Sequence, residues 1–195
     1  GRVFMEKNDG SNAANAMVKM GENVVSIYSN LNNFAALKES GEVLSWSKNA
    51  NGSSDVVSVA ENVRMVFSNK ETFIGLKKDN SIVNWNPPAP ADPSTYAPMP
   101  VINNVVNVYS NDTAFAALLG NNSVVTWGEK IKGGDSSAVA NKLTDVLTVF
   151  SNNGGFMALD NMRTSLIPWG QSAPANVVNE LENIGDDVNG ILTEV

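Results

Sequence analysis

Cysteine and histidine are both absent from the 195-residue chain. Their absence removes disulfides, thiolate nucleophiles, imidazole bases and the usual zinc or iron ligand sets together. Charge is sparse, at 17% of residues, and the 13 basic against 20 acidic side chains leave a net charge of −7 with no run of Lys or Arg. Binding to a phosphate backbone needs the opposite balance, so no nucleic-acid partner is expected. No stretch of about 18 apolar residues occurs, which excludes a helical membrane span. The opening residues GRVFMEKNDG lack the basic and then apolar order of a secretion signal. A hydrolase without His would need a Lys or a carboxylate pair to activate its nucleophile, and no spacing suggests one. The expectation is a non-enzymatic protein without cofactor, metal or membrane insertion.

What is present is a 43% hydrophobic chain, long enough for one domain, 1–195, with a sizeable core. Asparagine occurs 28 times, a composition suited to turns and loops rather than helices. The chain opens on Gly1 in the middle of a repeat, and so reads as a piece of something longer whose targeting segment lies elsewhere.

Internal repetition dominates the sequence. VVSIYSN (Val24 to Asn30), VRMVFSN (Val63 to Asn69), VVNVYSN (Val105 to Asn111) and VLTVFSN (Val146 to Asn152) recur at intervals of 39, 42 and 41 residues. Each is followed by a segment opening on phenylalanine (Phe34, Phe73, Phe115, Phe156), then by one ending in tryptophan (Trp46, Trp85, Trp127, Trp169). A weaker fourth segment closes the unit, as in VSVAEN up to Asn62 and NKLTD up to Asp145. The segments are short, β-branched or aromatic and mostly alternating, so they read as strands. Between the second and third lie Glu39-Ser40-Gly41, Lys78-Asp79-Asn80 or Gly120-Asn121-Asn122, residues that accept the positive φ of tight hairpins. Each unit is then a four-stranded antiparallel sheet of about 40 residues, the size of a propeller blade.

The expected architecture is an all-β propeller with blades at 24–62, 63–104, 105–145 and 146–183 and half-blades at 1–23 and 184–195. Gly1-Arg2-Val3-Phe4 matches Gly41-Glu42-Val43-Leu44, and Val18 to Asn23 matches Val57 to Asn62. Pairing of the two terminal half-blades closes a ring of five and covers open edges; an open arc cut from a longer array is the competing arrangement.

The order of an aromatic, Ala-Leu, a hairpin and Val-x-x-Trp-Gly resembles the repeats of the regulator of chromosome condensation family of propellers. The matches are clearest in FAALLGNNSVVTWGEKIKGGDSSAV (Phe115 to Val139) and FMALDNMRTSLIPWG (Phe156 to Gly170). The short unit and the GGDSSAV run resemble a divergent bacterial branch found in large secreted and surface proteins, an architecture that also serves a propeller-type β-lactamase inhibitor. The resemblance implies a secreted or cell-surface protein. It implies fold more firmly than function. Glycine follows tryptophan only at Gly128 and Gly170, with Ser47 and Asn86 in the earlier units. The nucleotide-exchange activity of the eukaryotic founding member maps onto nothing here and is not carried over.

Twelve of the 14 aromatic residues fill repeated slots, as core packing requires, and Phe4 sits on a strand position. Tyr96 alone is off the pattern. It lies in NPPAPADPSTYAPMP, Asn86 to Pro100, which holds six of the eight prolines. That run either presents Tyr96 and Met99 to a partner or spans two strands as a stiff connector. In an up-and-down blade the loops after strands one and three emerge on one side. The expected binding face therefore carries Leu31, Asn32 and Asn33; Lys70, Glu71 and Thr72; Asp112 and Thr113; Asn153 and Gly154; and the loop around Ile131. These positions vary between units, as binding loops on a fixed scaffold do. The four Ser-Asn pairs either hold local turns or form a polar ring for a glycan or an ion. Asp135 and Asp186-Asp187 lack the spacing of a calcium loop. The partner is a protein or a glycan, bound by a recognition module; a structural spacer or fibre repeat and an enzyme inhibitor are the alternatives. The sequons at Asn51, Asn111 and Asn121 are within chance for this composition.

Overall fold

The computed structural model describes residues 22–47, 57–85 and 90–171. The contacts divide the chain into two compact units, Gly1–Pro88 and Ala89–Val195, with the division inside the proline-rich run. The half-blades 1–23 and 184–195, the fourth strand expected at 178–183 and the Asn51 sequon fall wholly or almost wholly outside the described residues.

In the first unit, β1 (Val24–Ser29), β2 (Asn33–Lys38), β3 (Val43–Ser47) and β4 (Val57–Ala60) form an antiparallel sheet in that order. A second sheet follows from β5 (Val63–Ser68), β6 (Phe73–Lys77) and β7 (Ile82–Trp85). In the second unit, β8 (Tyr96–Ala97), β9 (Val105–Ser110), β10 (Ala114–Leu119) and β11 (Val124–Glu129) make a sheet of order β8-β11-β10-β9. Then β12 (Val146–Asn152), β13 (Gly155–Asp160) and β14 (Leu166–Gly170) make a three-stranded sheet. The repeated segments are thus the strands the sequence predicts.

Two expectations need correction. Among the described residues, the chain after β7 adds no fourth strand to its own sheet. Tyr96 and Ala97 instead pair with Glu129 and Gly128, at the outer edge of the sheet that follows. NKLTD forms no strand: its first two residues end a 3-10 helix, Ser137–Lys142, closed by Leu143 N–H donating to Ala140 O at 3.2 Å, and Leu143 O meets the sheet by accepting from Val124 N–H at 3.1 Å. The segment SAVANK is small and polar without alternation, so nothing in it competes for the edge.

The middle strands are buried on both faces. Ala35, Ala36, Val43 and Leu44 are all buried, as are Phe73, Ile74 and Leu76. In the first unit, Ala35, Leu37 and Val43 pack with Val63, Val66 and Phe73 of the next sheet. In the second unit, Leu118 and Val124 pack in the same way with Val146, Val149 and Phe156. Every sheet carries the same stacked pair within itself: Phe34 on Trp46, Phe73 on Trp85, Phe115 on Trp127 and Phe156 on Trp169, with centroids 5.3 to 5.6 Å apart. Such pairs add about 0.5–1.5 kcal/mol beyond the area they bury.

The hairpins between second and third strands turn through Gly41 (φ 92°), Asn80 (φ 64°), Asn122 (φ 63°) and Arg163 (φ 60°). The positive φ is the one predicted; the fourth unit reaches it with an arginine. The turn is also tied to the residue before strand one. Glu39 N–H donates to Asn23 O, Lys78 to Asn62 O, Gly120 to Asn104 O and Asn161 to Asp145 O, all at 2.8–2.9 Å. A second link runs forward, from Val63 N–H to Gly41 O at 2.9 Å and from Val146 N–H to Asn122 O at 2.8 Å.

Candidate functional site

The four Asn that end strand one hold the turns. Asn30 Oδ1 accepts the N–H groups of Asn32 (3.0 Å) and Asn33 (2.8 Å). Asn69 Oδ1 accepts those of Glu71 (2.9 Å) and Thr72 (2.8 Å). Asn111 Oδ1 accepts from Thr113 (3.1 Å) and Ala114 (2.9 Å), and Asn152 Oδ1 from Gly154 (3.0 Å). These are Asx turns, in which a side-chain carbonyl satisfies donors that the reversal frees from the ladder. Asn69 and Asn111 are buried.

In the first unit this edge presents Leu31, 71% exposed, with exposed Asn32 and Lys70, and Leu31 N–H donates to Lys70 O at 3.2 Å. Asn33 and Glu71 are half-buried. Thr72 departs from its expected place. It is 2% exposed, and its hydroxyl lies 2.7 Å from Asn84 Oδ1 and 2.8 Å from Trp85 O. Thr72 therefore closes the sheet from inside and lines no surface.

In the second unit the structure gathers several of the predicted residues. Glu129 pairs with Tyr96 in the ladder, and its N–H donates to Thr113 O at 3.1 Å. Thr113 Oγ1 donates to Glu129 Oε2 at 2.6 Å. Beyond Glu129 a 3-10 turn, Lys130–Lys132, carries Ile131 outward at 58% exposure. Asn111 Nδ2 fastens that turn by donating to Lys132 O at 2.7 Å, and Gln171 N–H does so by donating to Ile131 O at 2.6 Å. Tyr96, Asp112, Thr113 and Ile131 thus belong to one edge. Tyr96 is half-buried in its strand, and Met99 is half-buried two residues beyond that strand. Asn153 is exposed and Gly154 is buried.

The turn at Ile131 depends on glycines the sequence reading passed over. Gly133 has φ 95°, and a Cβ there would meet Phe156 Cδ2 at 2.7 Å; one on Gly134 would meet Gly128 O at 2.3 Å. Trp169 Nε1 donates to Gly133 O at 3.0 Å. The signal was available in Gly133-Gly134, since paired glycines mark close backbone approach.

Four carboxyls are held below the usual carboxylate range. Asp79 is lowered first by the Ser81 side chain and Asp92 by that of Ser94, while Asp135 is lowered chiefly by the Ser137 N–H. For Asp160, partial burial acts upward and is outweighed by donors on Ser165, Thr164 and Arg163. All four are turn-building acceptors, charged at neutral pH and occupied. Among the described residues no group of three carboxyls gathers as a metal site would require. The arrangement can hold a surface in place.

Replacement of Asn111 tests the framework directly. Asn111→Ala removes two acceptor bonds and one donor bond at a buried position, and is expected to cost about 2–3 kcal/mol in urea unfolding. Asn111→Asp keeps the acceptor and should lose less. A cost for Asn111→Ala below about 0.5 kcal/mol, the range of an ordinary surface change, is incompatible with this role.

No protein-family model matches the chain, and no curated protein matches it either. Solved structures do. The CRINKLY WD40 ectodomain of the Arabidopsis thaliana receptor kinase ACR4 superposes with a TM-score of 0.52 at 14% identity, covering 77% of this chain and 52% of that one. Human WBSCR16 gives 0.52 at 17% identity, over 75% and 47%. Prp20p of Saccharomyces cerevisiae, described as the yeast RCC1, gives 0.53 at 13% identity, over 80% and 45%. The chain spans about half the length of these proteins. At such identities the likeness is one of fold: the sheets described above are similar to those of β-propeller proteins, the yeast RCC1 among them.

Proposed function

We propose that the chain is a non-enzymatic recognition module that binds a protein through the turns following strands one and three. The observation that carries this reading is the contrast at that edge. Within each unit Asn side chains fix the backbone of the turns in place, while the side chains beside them change: Leu31 and Asn32, then Lys70 and Glu71, in the first unit, and Asp112 with Tyr96 and Ile131 in the second. A rigid backbone with variable exposed groups lowers the ordering cost of binding. Exposed aliphatics such as Leu31 and Ile131 supply the apolar anchors around which interface energy concentrates. A protein partner fits the pattern better than a glycan, because equivalent sugar pockets would repeat the same side chains in every unit. Among the proteins of this fold, Prp20 was solved bound to Kap60, and Prp20p is described with binding to Gsp1p and histones. The setting we propose is extracellular, as for the ACR4 ectodomain of this fold.

The test compares proteins retained by the immobilised chain with those retained by Leu31→Asp/Ile131→Asp, using a hairpin-edge variant, Met162→Asp, as control. A partner lost with the first variant and kept with the control supports the proposal. Retention unchanged by Leu31→Asp/Ile131→Asp, or a specific glycan-array signal with no protein retained, would count against it.

A further inference from the structure

Asparagine followed by glycine is the pair in which a side-chain amide is least hindered from reacting with the next main-chain nitrogen, because glycine has no Cβ to block the approach. The pair occurs at Asn51-Gly52, Asn153-Gly154 and Asn189-Gly190, and the first and last of these lie outside the described residues. Among the described asparagines, Asn153 alone precedes a glycine. It sits in the two-residue turn between β12 and β13, where Asn152 pairs with Gly155. Asn153 is exposed and Gly154 is buried.

The turn also restrains the nitrogen that would attack. Gly154 N–H donates to Asn152 Oδ1 at 3.0 Å. The end of β14 backs the turn closely: a Cβ on Gly170 would stand 2.7 Å from Gly155 Cα and 2.9 Å from Gly154 O. Ser151 Oγ donates to Ser110 O at 2.7 Å, which fastens this turn beside the one that carries Asp112. In the other three turns the strand-one asparagine holds the N–H of Asn32, Glu71 or Thr113 in the same way. The residues just before those are Leu31, Lys70 and Asp112, none of which carries an amide. Of these four turns, the fourth alone sets an amide side chain directly before the held nitrogen.

We propose that Asn153 is a self-modifying site, whose amide is converted to a carboxylate by attack of Gly154 N, and that the hydrogen bond from Gly154 N–H to Asn152 sets the rate. Gly154 N bonds to Asn153 Cγ, the Cγ–Nδ2 bond breaks, and ammonia leaves with the proton that Gly154 N gives up. Water then opens the cyclic imide. Hydrolysis at Cγ leaves an ordinary aspartate; hydrolysis at the main-chain carbonyl routes the backbone through the side chain and lengthens the turn by one methylene. Either product places a new negative charge next to the turn of Asp112. The chemistry is independent of the binding role proposed above. Storage of the full chain in warm, mildly alkaline buffer, followed by peptide mass mapping, reads the reaction as a gain of one mass unit. Among the described asparagines the gain should appear at Asn153 before Asn80 and Asn122, which precede serines. Asn152→Ala should speed it about two- to tenfold, the worth of one hydrogen bond, whereas Asn152→Asp keeps the acceptor and should not speed it. The same chain unfolded in urea should react at Asn153 severalfold faster than the folded chain. Modification of Asn80 or Asn122 ahead of Asn153 in the folded chain would overturn the proposal. So would a parental rate in Asn152→Ala, or equal rates at Asn153 in the folded and the urea-unfolded chain. Should Asn152→Ala also speed Asn122 by loosening the whole unit, Asn152→Asp decides, and acceleration there counts against the tether.

Discussion

Replacing Trp169 by alanine is expected to destabilise the second unit by about 3–5 kcal/mol, the range for removing a large buried aromatic side chain. The indole is 5% exposed and stacks on Phe156 with centroids 5.3 Å apart. It also donates to Gly133 O at 3.0 Å, so the substitution opens a cavity and strips a buried carbonyl of its partner. Trp169→Phe separates the two effects. It keeps much of the ring and loses only the donor, for an expected cost of about 1–3 kcal/mol. Urea unfolding followed by the fluorescence of the remaining tryptophans measures both. A Trp169→Ala loss under about 1 kcal/mol, small for any buried aromatic, would mean that the stacked pairs do not carry the sheet packing. Because Gly133 anchors the turn that carries Ile131, either variant should also loosen the proposed binding edge.

Gly128→Ala is expected to cost about 2–4 kcal/mol, although it adds a single methyl group. The residue has φ 105°, and a Cβ would stand 2.5 Å from Thr113 O and 2.7 Å from Ala114 Cα. Both are backbone atoms, which cannot rotate away. Relief requires the Asn111 turn to move, at the expense of the bond from Glu129 N–H to Thr113 O. Gly120→Ala is the matched control. Its nearest neighbours are side-chain atoms of Asn104, and Gly120 is exposed, so the amide can swing aside and the cost should stay below about 1 kcal/mol. Equal losses from the two substitutions in thermal unfolding would show that steric closeness at Gly128 is not what the Trp-Gly pair provides.

That pair shows how the sequence encodes the fold and where it falls silent. The repeat spacing, the Phe and Trp slots and the hairpin residues were legible because each recurs, and recurrence separates a structural requirement from chance. The Asn turns were legible for the same reason. The exchange of β8 was not: a strand of two residues among prolines has no alternation to read, and its partner is decided by which edge is vacant. Nor was the burial of Thr72. A small polar residue in a turn reads as solvent-facing, and only the approach of Asn84 and Trp85 O gives its hydroxyl two partners inside. The exposure of Phe34, 46% against 0 to 2% for Phe73, Phe115 and Phe156, was hidden for the opposite reason, since four like slots read alike.

The ties that set the repeat's pitch run between main-chain groups: Asn62 O with Lys78 N–H, Gly41 O with Val63 N–H, and their equivalents. Every residue type supplies the carbonyl, and all but proline supply the N–H. Side chains at these positions can therefore drift with little penalty, apart from the positive-φ sites that favour Asn or Gly. A copied unit would carry these main-chain ties along with its apolar core slots, so an array can lengthen by duplication and its turns can diverge afterwards without losing step.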